Sequence, residues 1–520
     1  MIVSWNDPKH RLRVFIGGDN PKEVELLYST LSSQLYEVSE YNQDTDVVDN
    51  ILFRLEDPKD SGILYGPLSL LPIVERVIHT LGIPYESQAV RPESVEDEIG
   101  DLSDTLLEGI QLRDYQVESV KRALTHRSGI IKVCTGGGKT EIALAIIRYL
   151  YDTDSGNKMI LCVPSTKLLY QTRERAIKRG FSPKDITLYG DGNSISRESR
   201  VMIATVQTLS RRLSSEEFLQ WSEGLTLLIM DEAHHCSART FYKVVDELAP
   251  KYLLGVTAEP YYGDKIHKVQ DLLVRGLLGS VLYEVTVPML VEKGYLSKPY
   301  LLVFNPPCER NIWRARDWKV IQKYGITENK SRNSMIVDIA DSLIRVDKRP
   351  LILISLISHG KHLSAEISNR GYTVAMMTGG SKVDIYNNGM IIESMEDPDN
   401  KIVDLYTAGS IDVLIGTSVL DEGVDIPAIS AVILAGGGKS PIKVVQRLGR
   451  SLRPKKVDNT TILIDFVDSF NPITLGHSKS RRNVISSLGV PQYFSNPSKD
   501  TFSTIIEFTD YFKSLQNSVQ

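Results

Sequence analysis

Short apolar runs rich in β-branched residues recur along the chain after residue 110, and amphipathic segments separate them. Such strands are buried on both faces, which is typical of parallel sheets covered by helices. The first series is GIIKVC, KMILCVP, RVMIATV, LTLLIMDEAHH and YLLGVTA. A second series, RPLILISL, YTVAMMTG, IDVLIGTS, AISAVILAG and TTILIDFV, begins after residue 300. The pattern predicts two tandem α/β domains, over residues 110–295 and 296–495.

The residues before the first α/β domain predict a small α+β domain over 1–95. Strand candidates lie at 12–17 and 51–55, and helix candidates lie after Asn20-Pro21 and at 71–81. Residues 96–109 belong to an acidic stretch with few apolar residues, so they are predicted to form an exposed linker or a weak helix. Residues 496–520 are predicted to be a C-terminal tail.

Charge is distributed unevenly along the chain. Residues 1–109 hold 8 Lys and Arg against 21 Asp and Glu, whereas the remaining residues hold 52 against 44. A mildly basic body suits a polyanionic partner, and a solvated surface explains it equally well. Phosphate contact needs a positive surface, so the acidic N-terminal domain makes protein docking or autoinhibition a serious alternative to DNA contact, which a local patch of Lys9, Arg11 and Arg13 leaves open.

The cysteines and the apolar runs indicate the compartment. The four cysteines are scattered without a Cys-x-x-Cys pair, which disfavours a zinc site and a disulfide framework. No apolar run reaches the ~18 residues that span a bilayer, and the N-terminus lacks the apolar core of a signal peptide. We therefore expect a reduced, cytoplasmic protein without a membrane partner.

The segment IIKVCTGGGKTEIAL, residues 130–144, combines a strand, a glycine-rich turn and an amphipathic helix. In this context backbone N–H groups and the helix N-terminus face a phosphate, Lys139 reaches the β- and γ-phosphates, and Thr140 holds Mg²⁺. The usual pattern has glycine where this chain has Val133. The residues predicted to bind the nucleotide here are Thr135, Gly136, Gly137, Gly138, Lys139 and Thr140.

A second apolar strand delivers Asp231 and Glu232 at its C-terminal end. Carboxylates at this position can hold Mg²⁺, for which Asp231 is the first candidate and Glu232 the second. Glu232 can also orient or deprotonate an attacking water. With Lys139 and Thr140, these residues predict nucleoside-triphosphate hydrolysis with ATP and Mg²⁺ as cofactors.

Asp231-Glu232-Ala233-His234 and TGGGKT resemble two motifs of the DEAH-type superfamily-2 helicases and translocases, and further motifs follow in that family's order over about 110–490. DEAHHCSARTF and LIDFVDSFNPITLGHSKSRRNVISSLG are most similar to the UvsW-like, XPB-related helicases. ILFRLEDPKDSGILYGPLSLLPIVERVIHTLGIPY resembles their small N-terminal domain. The resemblance implies an α/β fold with two tandem RecA-like parallel-sheet domains behind a small α+β domain.

The resemblance also implies roles for residues in the other motifs. LRDYQ supplies Arg113 and Gln116 for the adenine, and the fifth motif, VLIGTSVLDEGVDIP, supplies Gly423 and Asp425 to the nucleotide site. The coupling residues are His234, which suits a relay to the sixth motif, with Thr257 and Ala258 of GVTAEP. The implied nucleic-acid contacts are Pro164, Ser165, Thr166, Gln171, Thr205, Gln207, Thr208, Thr417 and Ser418.

The sixth motif, QRLGRSLRP, has a physical reason to lie in the second α/β domain. An arginine that stabilises charge on the γ-phosphate makes hydrolysis depend on domain closure when the other domain supplies it. Arg450 and Arg453 are the candidates for this role, and Gln446 supports them.

Some segments depart from the family pattern or remain open in meaning. Glu259 stands where these motors usually have Thr, and residues 381–410 are longer than usual, so we expect a surface insertion there. ERNIWRARDWKVIQKYG, 309–325, mixes tryptophans with cations; it suits nucleic-acid binding, or an amphipathic helix that packs its tryptophans. GHSKSRR, 476–482, leaves the same two interpretations open.

These features favour an ATP-dependent DNA helicase or double-strand translocase. The resemblance implies that its substrate is branched DNA, such as forks and junctions, or duplex with single-stranded regions, and that a phage-encoded member would act in the host cytoplasm. An RNA helicase, a nucleic-acid-binding ATPase switch without processive unwinding, and a motor subunit associated with a nuclease are the alternatives. A protein partner at the acidic N-terminal domain is a further expectation.

Overall fold

The structure is a computed structural model of the 520-residue chain. It describes residues 2–4, 13–17, 21–36, 54–56, 63–67, 71–88, 99, 102–237, 239–248, 250–261, 268–378, 382–396, 401–417, 429–438, 459–496 and 499–517. Contacts divide the chain into two compact units: residues 1–134 with 138–285, and residues 135–137 with 286–520. The predicted domain boundaries at residues 95, 109, 295 and 495 stay predictions.

The N-terminal residues form a five-stranded mixed sheet with two helices. Its order is β3-β4-β2-β1-β5, and only β1 and β5 pair in parallel. Both helices bury apolar residues at helical spacing, such as Val24, Leu27 and Leu31 in the first. The elements are Ile2–Ser4 (β1), Arg13–Gly17 (β2), Pro21–Tyr36 (α1), Arg54–Glu56 (β3), Ile63–Pro67 (β4), Leu71–Thr80 (α2) and Glu86–Gln88 (β5).

The second half of the predicted acidic linker is folded. Leu107 is buried, the amide of Gln111 donates to Asp104 at 2.6 Å, and the backbone N–H of Glu108 donates to the carbonyl of Arg179. A few apolar side chains thus suffice to pack this segment onto the α/β domain that follows, although its composition resembles a linker.

The first α/β domain contains a seven-stranded, fully parallel sheet of order β12-β6-β11-β10-β7-β9-β8. The predicted apolar runs form its central strands, and helices join them. The elements are Asp114–His126 (α3), Ser128–Val133 (β6), Lys139–Thr153 (α4), Lys158–Val163 (β7), Thr166–Lys178 (α5), Ile186–Tyr189 (β8), Val201–Thr205 (β9), Val206–Arg212 (α6), Glu216–Ser222 (α7), Leu225–Asp231 (β10), a 3₁₀ turn at Ala233–Ser237, Arg239–Leu248 (α8), Tyr252–Thr257 (β11), Lys268–Leu278 (α9) and Val281–Val285 (β12).

The second α/β domain contains a nine-stranded sheet of order β17-β16-β15-β18-β14-β19-β20-β13-β21. Seven strands are parallel, and the hairpin β16–β17 extends one edge in antiparallel pairing. The elements are Val287–Glu292 (α10), Lys298–Phe304 (β13), Trp318–Ile321 (α11), a π turn at Gln322–Thr327, Lys330–Arg345 (α12), Pro350–Leu353 (β14), Ile357–Ser368 (α13), Val374–Met377 (β15), Lys382–Asn387 (β16), Met390–Glu396 (β17), Lys401–Ala408 (α14), Val413–Gly416 (β18), Ala431–Leu434 (β19), Thr460–Phe466 (β20), Pro472–Ser487 (α15), Gln492–Phe494 (β21) and Thr501–Asn517 (α16).

The expected insertion at 381–410 is therefore more than a surface loop. Its first strand, β16, is buried through Val383, Ile385 and Tyr386, whereas the outer strand β17 exposes Met390 and Ile392. None of the described helices is long and apolar enough to cross a membrane.

Two buried arginines hold the loop that follows β19. Arg332 on α12 donates to Asp468 at 2.8 Å and to the carbonyl of Ala435 at 2.8 Å. Arg481 on α15 donates to Asp465 at 2.8 Å and to the carbonyl of Gly438 at 2.6 Å. Arg481 is thus committed to a buried ion pair, and the nucleic-acid interpretation of 476–482 does not apply to it.

Replacement of Arg332 by Ala tests this support. It leaves Asp468 as an unpaired buried charge, so we expect a loss of about 3–5 kcal/mol in the free energy of unfolding of this domain. Arg345→Ala on the same helix is the control, because Arg345 is 57% exposed in its pair with Asp341 and should contribute less than about 1 kcal/mol. Urea unfolding measures both, and equal losses would contradict the prediction.

Candidate active site

The glycine-rich turn between β6 and α4 has a backbone that favours glycine. The φ angles of Gly136 and Gly138 are 86° and 81°, in the left-handed region. A Cβ on residue 138 would also lie 2.4 Å from Nε2 of Gln116. Because α4 begins at Lys139, the N–H groups of its first turn lie beside Gly138, where an anion is stabilised.

Gln116, predicted to contact adenine, is held against this turn. Its Oε1 accepts from the backbone N–H of Arg113 at 2.9 Å, and the side chain is 5% exposed. The guanidinium of Arg113 donates to the hydroxyl of Tyr115. The amide oxygen of Gln116 is thus fixed by a local hydrogen bond, and its Nε2 faces the glycine-rich turn.

Asp231 and Glu232 lie where β10 ends, and they contact the phosphate turn through Lys139. The ammonium of Lys139 donates to Oε1 of Glu232 at 2.7 Å, and the backbone N–H of Glu232 donates to Asp231 at 3.0 Å. Glu232 has a φ of 50°, which a side-chain-bearing residue seldom adopts. Such local strain is typical of functional positions.

The two carboxyl groups differ in their tendency to ionise. Burial raises the pKa of Asp231 to about 6, and the charge of Glu232 acts in the same direction. Burial acts to raise the pKa of Glu232 as well, but the charge and the hydrogen bond of Lys139 outweigh it and hold that pKa below its ordinary value. Glu232 is therefore ionised at neutral pH and able to accept a proton.

The donor set fits a nucleotide with a divalent ion. The hydroxyl of Thr135 is buried without a hydrogen-bond partner among the described residues, so it is able to bind a further polar group. Thr140 follows Lys139 in the first turn of α4, and with Asp231 it offers the oxygen ligands that Mg²⁺ prefers.

His234 connects the Asp231-Glu232 segment to β11, which lies between β10 and β6 in the sheet. Its Nδ1 forms a 3.1 Å hydrogen bond with the hydroxyl of Thr257 at the end of β11, and both side chains are buried. The same nitrogen is 3.4 Å from Glu232. Burial lowers the pKa of His234 to about 4, so the imidazole is neutral at pH 7. Ala258 follows Thr257 and is buried.

The predicted nucleic-acid residues of the first domain lie at the same sheet edge, after β7 and β9. Ser165 caps α5 by accepting from Leu168, and the set exposed to solvent is Ser165, Thr166, Gln171 and Gln207. Pro164 and Thr208 are half-buried. Thr205 is buried and its hydroxyl donates to Thr208, so it shapes the loop rather than offering a free contact.

Several residues implied in the second α/β domain lie outside the described residues. Thr417 is described, half-buried, directly after β18. The relay from His234 to the sixth motif stays a prediction, and Thr257 is the partner that the structure shows. The predicted residues that are not described are Ser418, Gly423, Asp425, Gln446, Arg450 and Arg453.

Lys139→Ala and Glu232→Gln test the two halves of this site. Lys139→Ala removes the ammonium group that is expected to bind the phosphates, so we expect weak nucleotide binding. Glu232→Gln keeps the shape but removes the base, so binding should persist while hydrolysis falls at least ~100-fold. Lys158→Ala, a control at the amino end of β7, should retain both. Nucleotide titration with steady-state hydrolysis measures these effects; full turnover by Glu232→Gln would exclude the base role.

Two family models match the chain in the order of its α/β domains. The model described as "Type III restriction enzyme, res subunit" matches residues 109–261, and "Helicase conserved C-terminal domain" matches 335–455. Together they cover just over half of the chain.

Curated relatives carry helicase or translocase names. "DNA 3'-5' translocase XPB2" of Sulfurisphaera tokodaii is 27% identical over 69% of this chain and 82% of its own length. "ATP-dependent DNA helicase uvsW" of Enterobacteria phage T4 is 24% identical over 68% of each protein. Among solved structures, the "DUF1998 helicase MrfA bound to DNA" has a TM-score of 0.54 at 14% identity and covers 75% of this chain and 51% of that chain, which supports the fold.

The resemblance found in the motifs is thus confirmed by the family models and the relatives, and the two α/β domains are RecA-like. The chain belongs to the superfamily-2 helicases, and it is an ATP-dependent helicase.

Proposed function

We propose that this protein unwinds or remodels branched DNA, such as forks and junctions, in replication, recombination or repair. The 2.7 Å contact of Lys139 with Glu232 supports the motor part of the proposal, because it lies at the sheet edge from which the loops after β7 and β9 also leave. A strand held by these loops and a nucleotide held by the turn would act on one rigid layer. The DNA-related names of the two relatives support DNA as the substrate.

The proposed chemistry uses the residues of the turn and of the β10 edge. Lys139 and the N–H groups of the first turn of α4 would bind the phosphates, and Thr140 and Asp231 would hold Mg²⁺. When bound, the ion neutralises charge that develops on the phosphates. Glu232 orients a water and accepts its proton. Gln446, Arg450 and Arg453 are proposed to stabilise the transition state, and Gly423 and Asp425 to complete nucleotide binding.

Movement along nucleic acid requires that ATP hydrolysis alters the loops that bind the strand. Glu232, His234 and Thr257 form an unbroken series of polar contacts from the base to β11. We propose that this series transmits a change in the protonation or contacts of Glu232 to the sheet edge.

The acidic N-terminal domain is proposed to bind a protein partner. The buried free thiols of Cys134, Cys162 and Cys236 support action in the reducing cytoplasm.

A substrate panel tests the proposed function. ATP hydrolysis and strand displacement are measured with single-stranded, duplex, forked, four-way and RNA–DNA substrates, with Glu232→Gln as the inactive control. We expect DNA to stimulate hydrolysis and forked or four-way DNA to be unwound best. Equal stimulation by RNA would support an RNA helicase. Turnover without displacement or translocation would support the ATPase switch and exclude the motor.

Thr257→Val tests the coupling series. The substitution keeps the shape but removes the hydroxyl that binds His234, so hydrolysis without DNA should change less than about 3-fold while strand displacement per ATP falls about 10-fold. Thr257→Ser keeps the hydroxyl and should retain displacement. Parallel losses of hydrolysis and displacement in Thr257→Val would contradict a coupling role.

A further inference from the structure

Residues 305–317, named here the tryptophan loop, join β13 to α11 in the second α/β domain. The loop leaves the carboxyl end of β13, which pairs in parallel with β20. In the sheet, β20, β19, β14 and β18 are successive parallel neighbours. Thr417, which follows β18, therefore lies at the same edge as the tryptophan loop. The tryptophan loop thus shares an edge with a predicted nucleic-acid contact, although it belongs to none of the family motifs.

A buried asparagine fixes the conformation of the tryptophan loop. Asn471 is fully buried, and its Nδ2 donates to the carbonyls of Ile312 at 2.7 Å and Ala315 at 3.1 Å, with a longer bond to that of Trp313. The side chain of Ile312 packs against Gly325. A Cβ at residue 325 would lie only 2.9 Å from it. The loop is therefore shaped by the domain itself.

The two tryptophans of this region have opposite environments. Trp318 is half-buried, and its ring centroid lies 4.9 Å from that of His477. Trp313 is 54% exposed on the fixed loop. The packing interpretation thus holds for Trp318, whereas Trp313 presents a flat apolar surface to solvent.

Three exposed cations follow Trp313 within six residues of the chain, and the nearby acids have local partners. Glu309 accepts from the hydroxyl of Ser331, and Asp317 caps α11. Within the described parts of the chain, no carboxylate forms an ion pair with the three exposed cations that follow Trp313 in sequence, which are Arg314, Arg316 and Lys319. The surface has a net positive charge that is open to a ligand.

We propose that the tryptophan loop binds a single strand of nucleic acid, with a base stacked on Trp313 and phosphates on Arg314, Arg316 and Lys319. Rings that stack bases beside cations that bind phosphates are the usual means of single-strand binding. A nucleic-acid strand offers both a base for the flat ring and phosphates for the cations, whereas the carboxylates of an acidic protein segment would match the cations alone. The inference rests on the proposed function and identifies a strand contact of the second domain.

Affinity measurements test the two kinds of contact separately. Binding of a short oligo(dT) is followed by fluorescence anisotropy. Trp313→Ala should weaken binding about 10-fold and Trp313→Phe less than about 3-fold, because Phe keeps a ring that stacks. Lys361→Ala, an exposed cation on α13, is the control and should bind within about 2-fold of the parent protein.

Substrate changes distinguish stacking from a fold defect. Oligo(dT) with abasic positions should bind the parent protein more weakly than intact oligo(dT), and Trp313→Ala should bind both strands equally. The variant R314A/R316A/K319A should lower the slope of log affinity against log salt by about 2, since each single-strand phosphate contact contributes about 0.7. Hydrolysis without nucleic acid should stay unchanged in all variants.

The outcomes separate this inference from the proposed function. If the parent protein is stimulated by DNA but Trp313→Ala keeps its preference for intact over abasic strands, the stacking role is excluded and the proposed function stands. An unchanged salt slope in the triple variant excludes the phosphate contacts. If no nucleic acid stimulates the parent protein, the proposed function itself fails.

Discussion

Parallel hydrogen bonding of β6, β11 and β10 places three functional segments at neighbouring positions of one sheet edge. The phosphate turn follows β6, Thr257 ends β11, and Asp231 ends β10. Because parallel strands all end at the same edge, side chains that are 93 residues apart meet in the contact of Lys139 with Glu232. A shift of register in any of the three strands would separate them.

Charge and burial then give the grouped residues different roles. The cation of Lys139 keeps Glu232 ionised despite its burial, whereas burial favours the protonated form of Asp231. His234 is kept neutral, so its Nδ1 forms a directional bond with Thr257 rather than an ion pair. The same buried surroundings thus hold an ionised carboxylate, kept charged by Lys139, beside an imidazole that burial keeps neutral.

Much of this arrangement was predictable from sequence, because its determinants are local. The apolar runs predict the strands, and the glycines with Lys139 and Thr140 predict the phosphate turn. Other features depend on contacts between distant residues, which composition does not reveal. Residues 102–109 resemble a linker, yet Leu107 packs into a core. The strand β16 lies within a predicted surface insertion, yet it extends the sheet. Only the structure shows that Gln116 excludes a side chain at position 138.

The second α/β domain shows why the structural roles of buried polar residues are the hardest to predict from sequence patterns. Its described loops after β13 and β19 bury few side chains of their own, so hydrophobic packing alone cannot fix them. Buried polar side chains do so instead: Arg332 and Arg481 bind carbonyls of the loop after β19, and Asn471 binds those of the tryptophan loop.

Asn471 lies 158 residues from Trp313, and its own sequence context, Asn-Pro, signals only the start of a helix. No local pattern could assign Trp313 to solvent and Trp318 to a half-buried site, because the difference arises from Asn471 and His477 in a distant helix region. Because the buried amide of Asn471 binds backbone carbonyls of the tryptophan loop, it restricts the backbone that carries the exposed indole and reduces the entropy lost when a ligand binds the ring. The buried amide therefore favours an interaction that requires the ring to remain outside.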